Sequence, residues 1–162
     1  MDFQLSATTL VEASAADVFD IITDLNGLQT WNAEIPAVVE PCDALRVGAQ
    51  WVVEIHAMHT RWNSRSTIVE LDRPQRRFAY RSQSDDGNAS FANWRWEVLE
   101  TPAGSRVSVS MDAHPQTFWR RNLFSKIRPS SLEKAMNESL RALRTRATAR
   151  GVTAPSNERR SA

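Results

Sequence analysis

Cysteine is almost missing from this chain: Cys42 stands alone among 162 residues. One thiol excludes an internal disulfide framework and fits a reducing compartment. Cys42 sits in a Pro-Cys-Asp turn with no histidine nearby in sequence, which argues against a thiol nucleophile. Glycine is scarce as well, five residues with none clustered, so no Gly-rich loop exists to cradle a phosphate. The three histidines do not converge: His56 and His59 fall on opposite faces of a strand, and His114 is remote. A zinc site is therefore not expected, and nothing in the chain asks for a cofactor. No apolar run approaches the roughly 18 residues of a membrane span, and Met1-Asp2-Phe3-Gln4 lacks the basic, apolar opening of a signal peptide. A soluble, cytoplasmic protein is the expectation.

What is present suits one compact domain, residues 1–150, with a polar tail, residues 151–162, expected to be disordered. Hydrophobic residues make up 41% of the chain, enough to bury a core. The net charge of +1 hides an asymmetry. Residues 1–115 hold nine basic and sixteen acidic residues, whereas residues 116–162 hold eleven and three. A basic C-terminal element packing on an acidic body accounts for this. The sharper alternative is a basic patch at Arg120, Arg121, Lys126 and Arg128 for an acidic carrier protein or a phosphate-bearing ligand. Basic and aromatic residues are not interleaved as nucleic-acid binding would require.

The last long stretch, Gln116 to Arg150, reads as helix. Leu132, Ala135, Met136, Ser139, Leu140, Leu143 and Ala147 recur at three, four and seven, one face of a helix. Ser130 with Glu133 has capping-box spacing after Pro129, and Gly151 is expected to end the helix. From Ser131 to Arg150 this element would be roughly 30 Å long at about 1.5 Å per residue. Residues 117–128 are amphipathic too, either an extra helix or the first half of one kinked at Pro129.

Upstream lie strands. Phe3–Ala13 is a first strand, and Ser14-x-x-Asp17 caps a helix with an apolar stripe of Val18, Phe19, Ile21, Ile22 and Leu25. Asn26-Gly27 breaks it, and Leu28–Trp31 forms a further short turn. Then follow Ile35–Glu40, Gln50–Met58, Trp62–Leu71, Arg76–Ser84, Ser90–Glu100 and Ser105–Ala113. Turn chemistry separates most of them, at Asp72-Arg73-Pro74, Asp85-Asp86-Gly87-Asn88 and Thr101-Pro102-Ala103-Gly104. Short connections favour antiparallel neighbours, and the order is α+β, with the strands needing the final helix as their partner.

The run Val11 to Phe19, then Asp24 and Trp31-Asn32, resembles the opening of the SRPBCC superfamily of START-like, pollen-allergen-like and polyketide-cyclase-like proteins. Val69-Glu70-Leu71-Asp72-Arg73-Pro74, then Arg77-Phe78-Ala79-Tyr80 and Trp94 before Gly104, resemble its middle strands. The resemblance spans about residues 3–149. It implies a helix-grip fold: a curved antiparallel sheet of about seven strands around a long C-terminal helix, two short helices after the first strand, and an apolar cavity between sheet and helix.

Two functions follow as expectations. The first is enclosure of a hydrophobic small molecule, such as a lipid or polyketide, without covalent chemistry. The second, implied by the resemblance, is an aromatase/cyclase that closes and dehydrates a carrier-bound poly-β-ketone. By that resemblance Trp31 and Trp94 match aromatic positions, while the expected arginine falls near Val69–Glu70. Arg65 in a shifted register, Thr67 as the hydroxyl, and Tyr80 are the catalytic candidates.

Strand parity supplies the ligand-binding set. Phe78, Tyr80, Trp94, Trp96, Val98, Val107, Val109 and Met111 should face the helix, with Arg77, Arg81 and Arg95 facing water. Trp51 and Val53 are expected inside, leaving Glu54 and His56 at the surface; reversed parity would make those two an acid/base pair. If Val69 and Leu71 face inward, so do Asn63, Arg65 and Thr67 unless a bulge intervenes. The candidate lining is therefore Trp31, Trp51, Val53, Asn63, Arg65, Val69, Tyr80, Trp94, Trp96, Val109, Met136 and Leu140.

Overall fold

The computed structural model describes residues 2–116 and 125–153. Arg120, Arg121 and the tail beyond Thr153 lie outside the described residues, as does the question of what residues 117–124 form.

Seven strands build one antiparallel sheet: β1 (Phe3–Val11), β2 (Ala37–Glu40), β3 (Gln50–Ala57), β4 (Thr60–Asp72), β5 (Arg77–Ser84), β6 (Phe91–Thr101) and β7 (Gly104–His114). Their order across the sheet is β1-β7-β6-β5-β4-β3-β2, so every sequential neighbour from β2 onward is paired, and β1 closes on β7. Helix α1 (Ala15–Thr23) and a 3-10 turn (Leu25–Thr30) follow β1, and a long helix, α2 (Ser125–Thr153), ends the described chain. This is the helix-grip architecture the sequence implies.

Local chemistry explains the elements. The Ser14 hydroxyl accepts from Asp17 N at 3.1 Å and donates to the Asp17 carboxylate at 2.7 Å, capping α1 as its spacing predicts. The β3–β4 turn has only two central residues, Met58 at φ 50° and His59 at φ 62°. Both adopt the left-handed conformations a tight hairpin demands, although neither is glycine. That is why the sequence marks this boundary so weakly. Gly104 opens β7 at φ 141°, where a Cβ would collide with the Val11 carbonyl oxygen of β1.

The stripe expected on α2 is the one buried: Leu132, Ala135, Met136, Ser139, Leu140, Leu143 and Ala147. The ends of that helix differ from expectation. It is already helical at Ser125, contains Pro129, and runs through Gly151 to Thr153, roughly 44 Å at about 1.5 Å per residue. Ser130 therefore lies within the helix rather than at its cap. Gly151 is not among the positive-φ glycines, so it continues the helix instead of turning it off. Residues 151–153 are thus helical.

The largest correction concerns β4. Ile68 pairs with Tyr80, yet Glu70 pairs with Ala79, so one extra residue is inserted at Val69. This bulge inverts parity along the strand. Leu71 faces inward opposite Phe78, but before the bulge the inward residues are Trp62, Ser64, Ser66 and Ile68. Asn63, Arg65, Thr67 and Val69 consequently lie on the outer face, and Val69 is 51% exposed.

Candidate functional site

Sheet and helix mesh over only part of their length. Toward the C-terminal half of α2, Leu140, Leu143 and Ala147 join Val18, Ile21 and Ile22 of α1 and Val98, Val107 and Val109 of the sheet in one buried cluster. Trp31 stands edge-on to Trp96 there, ring centroids 5.6 Å apart. Toward Arg128 and Leu132 the same two layers part and leave a cavity of about 390 Å³. Val53 and Ile55 of β3, Trp62 of β4, Tyr80 of β5, Ala92 and Trp94 of β6, Met111 of β7 and Leu132 of α2 supply its apolar wall.

An aromatic ladder joins the two regions. Trp51 stacks on Phe78 at 6.5 Å and stands edge-on to Tyr80 at 5.1 Å; Tyr80 then stacks on Trp94 at 6.1 Å. The first two rings are fully buried, and the last two face the cavity. Such contacts hold Tyr80 in one orientation. Burial pushes its phenol above the ordinary tyrosine range, and a side-chain hydrogen bond with Trp96 offsets only part of that. Tyr80 therefore presents a neutral hydroxyl near neutral pH.

Five serines dominate the polar wall, which Thr60 and Gln83 also join. Ser64 pairs with Ser84 and Ser66 with Ser82 across β4 and β5, and all four line the cavity with Ser90. Ser82 accepts from Trp94 Nε1 at 3.1 Å, fixing that indole, and Ser90 accepts from Gln116 N at 2.9 Å. Glu34 and Arg128 are the two charged side chains lining the cavity among the described residues. They form a bidentate pair, Nη1–Oε1 and Nη2–Oε2 both 2.6 Å, with the guanidinium carbon 5.7 Å from the centre of the Trp62 ring.

Of the residues expected to bind ligand, Val53, Tyr80 and Trp94 line the cavity. Trp31, Trp51, Trp96, Val109, Met136 and Leu140 are inside but belong to the packed core. Asn63 and Val69 face outward. Arg65 donates to Asp85 at 2.8 Å and to both carboxylate oxygens of Glu40 at 3.0 and 3.1 Å. Hydrogen bonds to Asp85 and Glu40 hold its guanidinium still more firmly in the charged form. Thr67 accepts from Gln50 Nε2 at 3.1 Å on the same outer face. Glu54 also lies outside, 3.8 Å from Arg61, as expected of a surface residue. Arg128 is turned into the cavity wall rather than toward a partner protein, while the side chain of Lys126 is outside the described set.

Sequence reasoning missed the serines, Trp62 and the Glu34–Arg128 pair. Ser82 and Ser84 simply continue the period-two pattern of Phe78 and Tyr80 and were within reach. Trp62, Ser64 and Ser66 required knowledge of the bulge. Glu34 and Arg128 are 94 residues apart, and no local pattern links them.

A family model described as polyketide cyclase/dehydrase and lipid transport matches residues 2–148. No curated protein matches the sequence. Among solved structures, the Zhui aromatase/cyclase from Streptomyces sp. R1128 is similar at 17% identity, covering 98% of this chain and 100% of that one with a TM-score of 0.77. A START superfamily protein from Mycobacterium smegmatis is similar at 16% identity, covering 90% and 97%, with a TM-score of 0.70. The di-domain aromatase/cyclase StfQ of the steffimycin pathway is 12% identical over 94% of this chain and 53% of that one, TM-score 0.76. At these identities the likeness speaks for the fold.

Proposed function

Since the chain belongs to the polyketide cyclase/dehydrase and lipid transport family, we propose that it encloses a hydrophobic small molecule between sheet and α2, without covalent chemistry. The observation that carries this reading is the cavity of about 390 Å³ walled by Trp62, Tyr80, Trp94 and Leu132. That volume lies within the range of small-molecule sites, and oriented aromatic rings with a few hydroxyls are what such sites use to hold and orient a guest. The lone Cys42 supports a reducing, cytoplasmic setting as part of the same reading.

One observation favours a second reading, cyclisation and dehydration of a carrier-bound poly-β-ketone: the neutral hydroxyl of Tyr80 stands beside the cavity, where it would donate to a substrate carbonyl. Arg65 and Thr67 lie on the other face of the sheet and give it no support. An acidic carrier at Arg120, Arg121 and Lys126 belongs to this second reading alone.

Native mass spectrometry of freshly purified protein, followed by extraction of what is bound, tests the first reading. A stoichiometric apolar guest is expected; protein that carries nothing and takes up no apolar probe would overturn it. Tyr80→Phe separates the two: it lowers affinity a few-fold in a carrier and removes turnover in a cyclase.

A further inference from the structure

The cavity wall carries one negative and one positive side chain, and they satisfy each other before any guest arrives. Glu34 and Arg128 are each about one-seventh exposed, with side-chain accessibilities of 14% and 13%. The backbone around Glu34 is held on three sides. Ala33 N donates to Ser139 Oγ of α2 at 2.9 Å, Glu34 N donates to Asn32 Oδ1 at 3.1 Å, and the Glu34 carbonyl accepts from His56 N at 2.8 Å. Its carboxylate is thus anchored against Arg128 rather than free to swing away.

We propose that Glu34 sets the charge selectivity of the cavity: it occupies a latent anion site on Arg128, so the guest is an electroneutral molecule. This rests on the cavity-binding reading. An anionic guest must leave water and then compete for a guanidinium already held by two short charge-assisted bonds, with the Glu34 carboxylate beside it. A cationic guest faces the same contest for Glu34. A neutral guest loses no ionic hydration, and the serine hydroxyls and Tyr80 remain to meet its oxygens. Removing the charge of Glu34 leaves Arg128 buried, cationic and facing the cavity, which is the recipe for binding a carboxylate.

Paired probes that share a naphthalene ring and differ in charge test this at pH 7: 2-naphthol, which is neutral, and 2-naphthoate, which is not. Calorimetric titration of the wild type is expected to show 2-naphthol binding at least tenfold more tightly than 2-naphthoate. In Glu34→Gln, the affinity for 2-naphthoate relative to that for 2-naphthol should rise at least tenfold. The double variant Glu34→Gln/Arg128→Gln should lose that gain. Equal affinities in the wild type, or a gain that persists in the double variant, would overturn the inference. If 2-naphthol fails to bind the wild type at all, the cavity reading falls, and this one with it. Binding of 2-naphthol without charge discrimination sinks only the role of Glu34. Equal wild-type affinities overturn the inference even if Glu34→Gln does not fold.

Discussion

The two ends of the sheet–helix sandwich come from the same strands and the same helix, yet one is solid and the other hollow. In the solid end, inward positions carry Trp96, Val98, Val107 and Val109, met by Leu140, Leu143 and Ala147 and plugged by α1 and the 3-10 turn. In the hollow end, the inward positions of β4 and β5 carry Ser64, Ser66, Ser82 and Ser84, with Ala92 and Ala113 on β6 and β7. Small side chains on a curved wall cannot reach the helix, and among the described residues no short helix fills the gap. The fold is therefore held chiefly by one half while the other surrounds a void, because close packing and an internal void cannot share a volume.

Truncation is expected to expose that division most strongly. Leu143→Ala, at a position fully buried in the solid end, should cost about 3 kcal/mol in urea unfolding, since it opens a closed void. Leu132→Ala, at the cavity wall, should cost about half of that, because it enlarges an existing space and chiefly loses transfer energy. Equal losses would mean that both ends are packed alike. Enlargement gives the converse. Val109→Phe overpacks the core and should cost about 1–3 kcal/mol. Ala92→Phe grows into the cavity and should leave stability within about 1 kcal/mol while weakening apolar-probe binding at least tenfold. Thermal unfolding and a dye-displacement titration on both variants decide this.

Smaller effects sharpen the contrast between the inner and outer faces. Arg65→Ala breaks an ion-pair network on the outer face whose partners are Glu40 and Asp85. About 1 kcal/mol or less of stability should be lost, and probe affinity should not move. A change in affinity would mean that the outer face communicates with the cavity. The smallest effect concerns the rim of the hollow end, where His114 Nε2 meets Asp112 at 2.8 Å and Nδ1 meets Asp2 at 3.1 Å. Burial alone would lower this imidazole's pKa, but hydrogen bonds to Asp112 and Asp2 outweigh it, and the net is raised above 6.5. A raised folded value means that this stabilisation is complete below the unfolded value of about 6.5 and is lost as pH climbs through the folded one. The difference in unfolding midpoint, wild type minus His114→Gln, should therefore shrink as pH rises above about 6.5; a flat difference would argue against the clasp.

Much of the fold was legible because it rests on patterns with a short range. The α2 stripe from Leu132 to Ala147, the Ser14 cap and the alternation through Phe78, Tyr80, Trp94, Trp96 and Val98 each follow from helix or strand periodicity. The site was less legible. Three of twelve expected ligand contacts, Val53, Tyr80 and Trp94, reach the cavity; six others are packed inside, and three on β4 face out. The β4 misplacement has one cause: the bulge at Val69 carries no glycine or proline to announce it, and one inserted residue inverts every side chain upstream.

From residues alone came the order of helices and strands and most of the faces that bury, since periodicity and turn chemistry act over a few residues, while the family resemblance implied the helix grip. Only the folded chain decided which inward-facing side chains pack and which surround a void. That depends on how far a curved sheet stands from its helix, and on distant meetings such as Glu34 with Arg128, neither of which any short stretch encodes.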